Sequence, residues 1–261
     1  MAGTSSDCSP DNRPDGAPSI WLCREPEAPD LPSPAWLTDY ERATVAKFSG
    51  PRRREYLSSR WLLRQAIASS AHCPPAGCAP VAGRPTASAT PAGWHLSLSH
   101  SQRLSACAVS GRAGIGLDIE PLNRHPQWQK VVRRWFTPAE QRWLLANDSH
   151  EDFLRVWTLK EAWLKATGRG IAGNLQTLEV GSDFHLSGDR DEPGWQAASG
   201  TVAGFLVTLV YCDERFSRPG GRLLAEVPTN LDLTALWPQA EPLIMNWHQP
   251  VTPRIRPCEE S

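Results

Sequence analysis

Four side chains in this sequence have the types and spacing for phosphoryl chemistry: Asp118 and Glu120, and about forty residues later Glu161 and Lys165. The segment Gly114-Ile-Gly-Leu-Asp-Ile-Glu120 alternates with period 2. It predicts a strand with Ile115, Leu117 and Ile119 on one face and Gly116, Asp118 and Glu120 on the other. Two carboxylates so placed lie roughly 6.5–7 Å apart at Cα, within reach of one cation. The segment around Trp157-Thr-Leu-Lys-Glu-Ala-Trp-Leu-Lys165 predicts a helix. At about 100° per residue, Phe153, Val156, Trp157, Trp163 and Leu164 form its buried arc, with Glu161 and Lys165 together at the edge. Three carboxylates and a lysine then converge on the rim of one cleft, a site for a hard divalent cation and a phosphate. Each motif alone has a plainer explanation, a solvated strand edge or a surface i,i+4 pair. Their joint occurrence, with two glycines leading into the strand, favours the site. Lys160 falls inside the apolar arc and must either snorkel or meet an anion.

The elements that must position these groups can be read in order. Residues 1–18 are polar and rich in Pro and Gly, the composition of a disordered leader. Ile20–Cys23 is a short strand candidate, and helices are expected over Leu37–Phe48 and Arg52–Ser70, the second opened by Pro51. From Arg42 to Arg64 there are seven cationic residues against Glu41 and Glu55. Such a run is either a solvated face or an arginine cradle for phosphates. Residues 71–93 read as a loop. Strands at 94–99, 104–110 and 114–120 suggest an antiparallel meander. Thr137-Pro138-Ala-Glu140 has the N-cap, N1 and N3 residues of a helix start. Strand candidates at Gln176–Val180, Phe184–Ser187, Gln196–Ala198, Val202–Tyr211 and Leu223–Val227 make the sheet of a second half, with Val202–Tyr211 central. The tail from Thr229 has no readable period. Helices and antiparallel strands in both halves argue an α+β fold.

The motifs resemble the signature of the Sfp-type 4′-phosphopantetheinyl transferases. The resemblance rests on Gly114–Glu120, Phe136-Thr-Pro-Ala-Glu140, and Trp157-Thr-Leu-Lys-Glu-Ala162 with Lys165, the last in the W/KEA spelling. Gly83-Arg84-Pro85 resembles the family's Gly-Lys-Pro turn, and Leu96-Ser-Leu-Ser-His-Ser101 its Ser-His segment. The five patches occur in the family's order across residues 41–170. The resemblance implies two similar α/β lobes in one chain with coenzyme A bound in a cleft between them. The lobes would be 19–115 and 116–228, the second carrying the metal site, followed by an extension over 229–261. It implies transfer of the 4′-phosphopantetheine arm of coenzyme A to a serine of an apo acyl or peptidyl carrier protein, releasing adenosine 3′,5′-bisphosphate. Asp118, Glu120 and Glu161 would hold Mg²⁺. Glu161 would act as base, directly or through a metal-bound water, and Lys165 would neutralise or protonate the leaving side. Arg54, Arg60, Arg84, Ser99 and His100 would bind the nucleotide end. Lys160 would either touch a phosphate or anchor its helix.

Composition narrows the alternatives. A formal charge of −1 over 261 residues provides no global field toward nucleic acid or membrane. Seven cysteines, an odd number without a C-x-x-C pair, and no apolar leader or bilayer-length run lead us to expect a reduced cytoplasmic enzyme, and the single-chain, two-lobe site that the resemblance implies is compatible with a monomer. His72, Cys73 and Cys78 lie close together, but their proline-rich spacing and missing fourth ligand argue against zinc. Three rival functions stay open at this level. They are a coenzyme A-binding scaffold without transfer, a nucleic-acid contact through the arginine helix, and Mg²⁺-dependent hydrolysis of another nucleotide.

Overall fold

The computed structural model describes residues 18–27, 31–124, 127–190, 195–212, 220–224, 231, 233, 241–242 and 246–247. The leader expected over 1–18 and most of the extension expected over 229–261 lie outside the described residues. In chain order the elements begin with β1 (Ser19–Arg24), α1 (Asp39–Val45), α2 (Gly50–Ala71), β2 (Ala79–Pro80) and β3 (Ser88–Thr90). They continue with β4 (His95–Ser101), β5 (Leu104–Ser110), β6 (Ile115–Pro121), α3 (Trp128–Trp135), α4 (Pro138–Asn147) and α5 (His150–Ala166). The last are β7 (Leu178–Val180), β8 (Leu186–Gly188), β9 (Trp195–Val202), β10 (Phe205–Cys212), β11 (Gly220–Leu224), β12 (Glu241–Pro242) and β13 (Asn246–Trp247). Helices and mostly antiparallel sheets make this an α+β architecture.

The described residues group into two compact units, Met1–Ala113 with Gly220–Leu243, and Gly114–Pro219 with Ile244–Ser261. The first holds a sheet of order β12-β11-β1-β5-β4 with α2 packed against it. Leu57, Trp61, Leu62, Ala66 and Ile67 of α2 are buried against Trp21, Leu96, Cys107 and Val109. The second holds a sheet of order β13-β9-β10-β6, on which α5 lies against β6 and β10. Phe153, Val156, Trp163 and Leu164 of α5 meet Leu206 and Val210 of β10 there, while Trp157 is only half-buried.

Four sequence expectations are corrected. The meander ends after two strands: β4 and β5 pair through the Gln102-Arg103 turn, whose φ values of 42° and 65° suit a hairpin. The third strand, β6, joins the other unit's sheet instead, beside β10. The apolar run from Val202 is broken by Ala203-Gly204, at φ 49° and 82°, into the end of β9 and the start of β10. β10 is central as expected, between β9 and β6. Strand β11 belongs to the first unit and pairs parallel with β1, Leu22 opposite Leu223. A parallel partner for β1 has to arrive from far along the chain. No alternation pattern states which strand it will join. Within the 71–93 stretch, expected as loop, β2 and β3 form a small ribbon.

Candidate active site

The close approach of α5 to β6 begins at Gly116. A Cβ there would stand 1.9 Å from the Ala162 carbonyl oxygen and 2.6 Å from the Ala166 amide nitrogen. The helix backbone therefore lies directly on the strand, which brings Asp118, two residues beyond Gly116, to Lys165, the neighbour of Ala166. Asp118 and Glu120 follow Gly116 on the same strand face and are buried, at 3 % and 5 % exposure. Glu161 and Lys165 come from the facing edge of α5.

The Lys165 ammonium is the hub of this cluster. It donates to Asp118 Oδ1 at 2.6 Å and to the Leu117 carbonyl at 3.0 Å, and stands 3.8 Å from Glu161 Oε2. Glu120 pairs with Arg124, four residues on. Burial is the main reason that the Glu161 carboxyl is pushed up to about 8; the charge of Asp118 adds to it, Lys165 opposes it, and Glu120 adds a smaller push. Three carboxylates against two cations leave one negative charge in excess, which with burial favours the protonated form of Glu161. Added positive charge would release that proton.

The donor set fits a hard divalent cation, since it consists of carboxylate oxygens carrying surplus negative charge. Among the described residues no three His, Cys, Asp or Glu side chains already stand in metal-holding geometry. The chain's own cations explain this: Asp118 is turned to Lys165 and Glu120 to Arg124. A metal at this place would take over positive charge that those two side chains now supply.

Lys160 is resolved differently from its neighbours. It is fully buried, and its ammonium donates to both oxygens of the equally buried Glu140, at 2.9 and 2.8 Å. Glu140 also accepts from the Thr137 amide at 2.9 Å, in the capping box of α4, and from the Val180 amide at 2.8 Å. The carboxylate thus ties α4, α5 and β7 together. Of the two roles open to Lys160, these contacts fit the helix anchor. Glu140 reads from sequence as a cap residue only, and the signal that could have revealed its second role was the lysine inside the apolar arc.

Four of the five arginines of α2 are matched by acids of the same unit, while Arg53 donates to the Leu31 and Val45 carbonyls and to Ser33. Arg60 and Arg64 both reach Glu41 of α1, at 3.5 and 2.6 Å, and Arg60 also covers the Tyr56 ring at 4.5 Å. Arg54 faces Glu25 at 3.6 Å. Glu55 binds Arg52 and, at 3.1 Å, Nδ1 of His100. The carboxyl of Glu25 is raised by its burial and by the charge of Glu55, against the pull of Arg54 and Arg103. Arg52, Arg54, His100 and Arg103 therefore gather around Glu25 and Glu55. Arg60 lies apart in a buried pair, Ser99 is buried on β4, and Arg84 is exposed between β2 and β3. Arg103 was missed from sequence, whereas Arg52 and Glu55 lay within the basic run without being singled out. The two-residue turn that presents Arg103 was the available clue.

Comparison with known proteins finds matches across both units. Residues 40–110 match the model of the 4′-phosphopantetheinyl transferase N-terminal domain, and residues 114–201 that of the 4′-phosphopantetheinyl transferase superfamily. The chain is 25 % identical over 245 residues to a putative 4′-phosphopantetheinyl transferase of Synechocystis sp., covering 82 % of this chain and 97 % of that protein. It is 32 % identical over 168 residues to the 4′-phosphopantetheinyl transferase HetI of Nostoc sp., covering 60 % and 69 %. With the 4′-phosphopantetheinyl transferase Sfp of Bacillus subtilis it shares 34 % identity over 89 residues, 33 % and 38 % of the two chains.

Proposed function

We propose the reaction of this chain from one premise: it belongs to the 4′-phosphopantetheinyl transferase superfamily, of the Sfp type, and is a 4′-phosphopantetheinyl transferase. The donor is coenzyme A, the acceptor a serine of an apo acyl or peptidyl carrier protein, and the leaving group adenosine 3′,5′-bisphosphate. One observation carries the reading. Asp118 and Glu161 flank Lys165, and Glu120, paired with Arg124, stands near enough for its charge to raise the Glu161 carboxyl, all within the segment that matches the superfamily.

Splitting a pyrophosphate needs neutralised oxygens, a base for the attacking hydroxyl and support for the departing phosphate. Asp118, Glu120 and Glu161 would hold Mg²⁺, which supplies the positive charge that neutralises the pyrophosphate oxygens. Glu161 accepts the proton of the serine hydroxyl once its own proton has left. Burial suits the task, because it lifts the carboxyl toward the pH at which a base is most effective. Lys165, held in direction by the Leu117 carbonyl, donates to the departing phosphate oxygen. Arg52, Arg54 and Arg103 carry the positive charge expected of a nucleotide phosphate subsite, His100 offers a ring nitrogen beside them, and Glu25 and Glu55 pair with the group in the absence of a nucleotide. Arg84 and Ser99 remain proposed contacts of the nucleotide. Binding energy from that remote end positions the reacting phosphate.

The test is the intact mass of several apo carrier proteins after incubation with the chain, coenzyme A and Mg²⁺. One carrier should gain about 340 Da, with the rate falling at least ~100-fold in Glu161→Gln and Asp118→Asn and on chelation. Coenzyme A bound with no gain on any carrier would instead leave a scaffold. Nucleotide turnover without a carrier would leave a hydrolase.

A further inference from the structure

The cluster of His72, Cys73 and Cys78 plays no part in the chemistry above. Among the described residues no three such side chains have metal-holding geometry. What the fold does bring together is the two sulfurs. Helix α2 ends at His72 in the left-handed region, φ 52°, and the Cys73 amide turns back to the Ala68 carbonyl at 3.0 Å. A single 3₁₀ turn over Pro75–Gly77 follows, with the Gly77 amide on the Pro74 carbonyl and the Cys78 amide on the Pro75 carbonyl, both at 3.0 Å. Pro74 and Pro75 restrict the connection further. The outcome is a Cys73 Sγ to Cys78 Sγ distance of 3.5 Å, with Cys78 also donating to the Pro74 carbonyl. Cys73 is partly exposed, whereas Cys78 is buried at 3 %.

We propose that Cys73 and Cys78 form a modification site, a dithiol that closes to an intramolecular disulfide by exchange with a low-molecular-weight disulfide of the glutathione class. A disulfide needs its sulfurs about 2.0 Å apart, so closure asks each to move by less than ~1 Å, within the range of side-chain rotation. The division of exposure assigns the order of events. The Cys73 thiol loses its proton and its sulfur attacks one sulfur of the reagent. The reagent's disulfide breaks, one reagent thiol departs with a proton, and a mixed disulfide forms on Cys73. The sulfur of Cys78, too buried to meet the reagent first, then attacks the Cys73 sulfur, gives up its proton, and expels the second reagent thiol. Two protein thiols are oxidised, one reagent disulfide is reduced to two thiols, and no other oxidant is consumed. The bond would fasten the end of α2 to the start of the β2–β3 ribbon, on whose turn Arg84 sits.

The purified full-length chain, reduced and then equilibrated with oxidised glutathione, is quenched with a maleimide and digested with trypsin. Cleavage after Arg64 and Arg103 leaves residues 65–103, which contain Cys73 and Cys78 and no other cysteine. The expected peptide carries neither maleimide nor glutathione and has lost about 2 Da, with Cys212 of the same sample still modifiable. In Cys78→Ser the reaction should stop at a glutathione adduct on Cys73, and in Cys73→Ser the remaining Cys78 should take up no glutathione. The proposal is overturned if the wild-type peptide keeps two alkylatable thiols while Cys212 reacts, or if it accumulates the mixed disulfide without closing. The readout requires no transfer activity, so it is independent of the reaction proposed above.

Discussion

Lys160 shows how a single side chain can be indispensable without touching substrate. Its ammonium and the Glu140 carboxylate are each fully buried, and burial moves both groups toward their neutral forms: Glu140 is raised and Lys160 lowered, although each pulls the other back. Removing one partner leaves the other as an uncompensated charge. Lys160→Met should therefore cost about 3–5 kcal/mol in urea unfolding. The double variant Lys160→Met/Glu140→Gln should recover part of that, because no uncompensated charge remains, although Gln keeps an acceptor for only one of the Val180 and Thr137 amides. A double variant no more stable than the single one would mean that the pair is worth more than its removal penalty. The buried Glu41 carboxylate behaves in the opposite way. Burial raises it, but the hydrogen bonds and charge of Arg64, with help from Thr38 and Arg60, win and hold it below the usual carboxylate range. A depressed carboxylate contributes stability that is complete above its unfolded pKa and is lost as pH falls through the folded one. The unfolding free energy of wild type should thus drop below about pH 4 more steeply than in Glu41→Gln, where this contribution is absent at every pH.

At the scale of elements, the site depends on how closely one helix can lie on one strand. Alternation places Asp118 and Glu120 on a common face, and helical spacing pairs Glu161 with Lys165. Neither pattern states the distance between strand and helix. That distance follows from Gly116, where any side chain would enter the α5 backbone. Gly116→Ala cannot be absorbed by a rotamer change, since the obstructing atoms are main-chain. We expect it to lower stability by a few kcal/mol, in the range of overpacked cores at ~1–3 kcal/mol, and to reduce transfer more than it reduces coenzyme A binding. Equal losses in transfer and binding would place its effect outside the carboxylate cluster.

At the scale of the whole molecule, the order of elements in space departs from their order in the chain. The first unit's sheet is completed by β11, which comes after the entire β6-to-β10 segment, and β1 pairs with it over Ser19–Cys23. A chain ending at Cys212 would leave one edge of β1 without its parallel partner. Backbone amides that lose a ladder partner exchange faster. Hydrogen exchange over Ser19–Cys23 should therefore rise in the truncated chain by at least ~10-fold, while β6 and β10 keep their protection. Unchanged exchange in β1 would mean that its protection comes from β5 and α2 alone. Among the described residues no helix is long and apolar enough to cross a membrane, in keeping with the balanced charge of the sequence.

What the sequence determined by itself was local. Period 2 at Ile115–Ile119, the capping residues Thr137 and Glu140, and the apolar arc of α5 are set by neighbours a few residues apart, and each forms where expected. The family could be read as well, because its motifs are short strings of letters. Tertiary structure alone decided which strand joined which sheet, and which acid met which base. A hydrophobic strand is satisfied by any partner that buries it, so β6 and β11 could not be assigned from their own residues. A charged side chain likewise carries no mark of its partner. Arg60 and Arg64 went to Glu41, Lys160 to Glu140 and Lys165 to Asp118 because folding took each largely out of solvent, where a charge needs a partner.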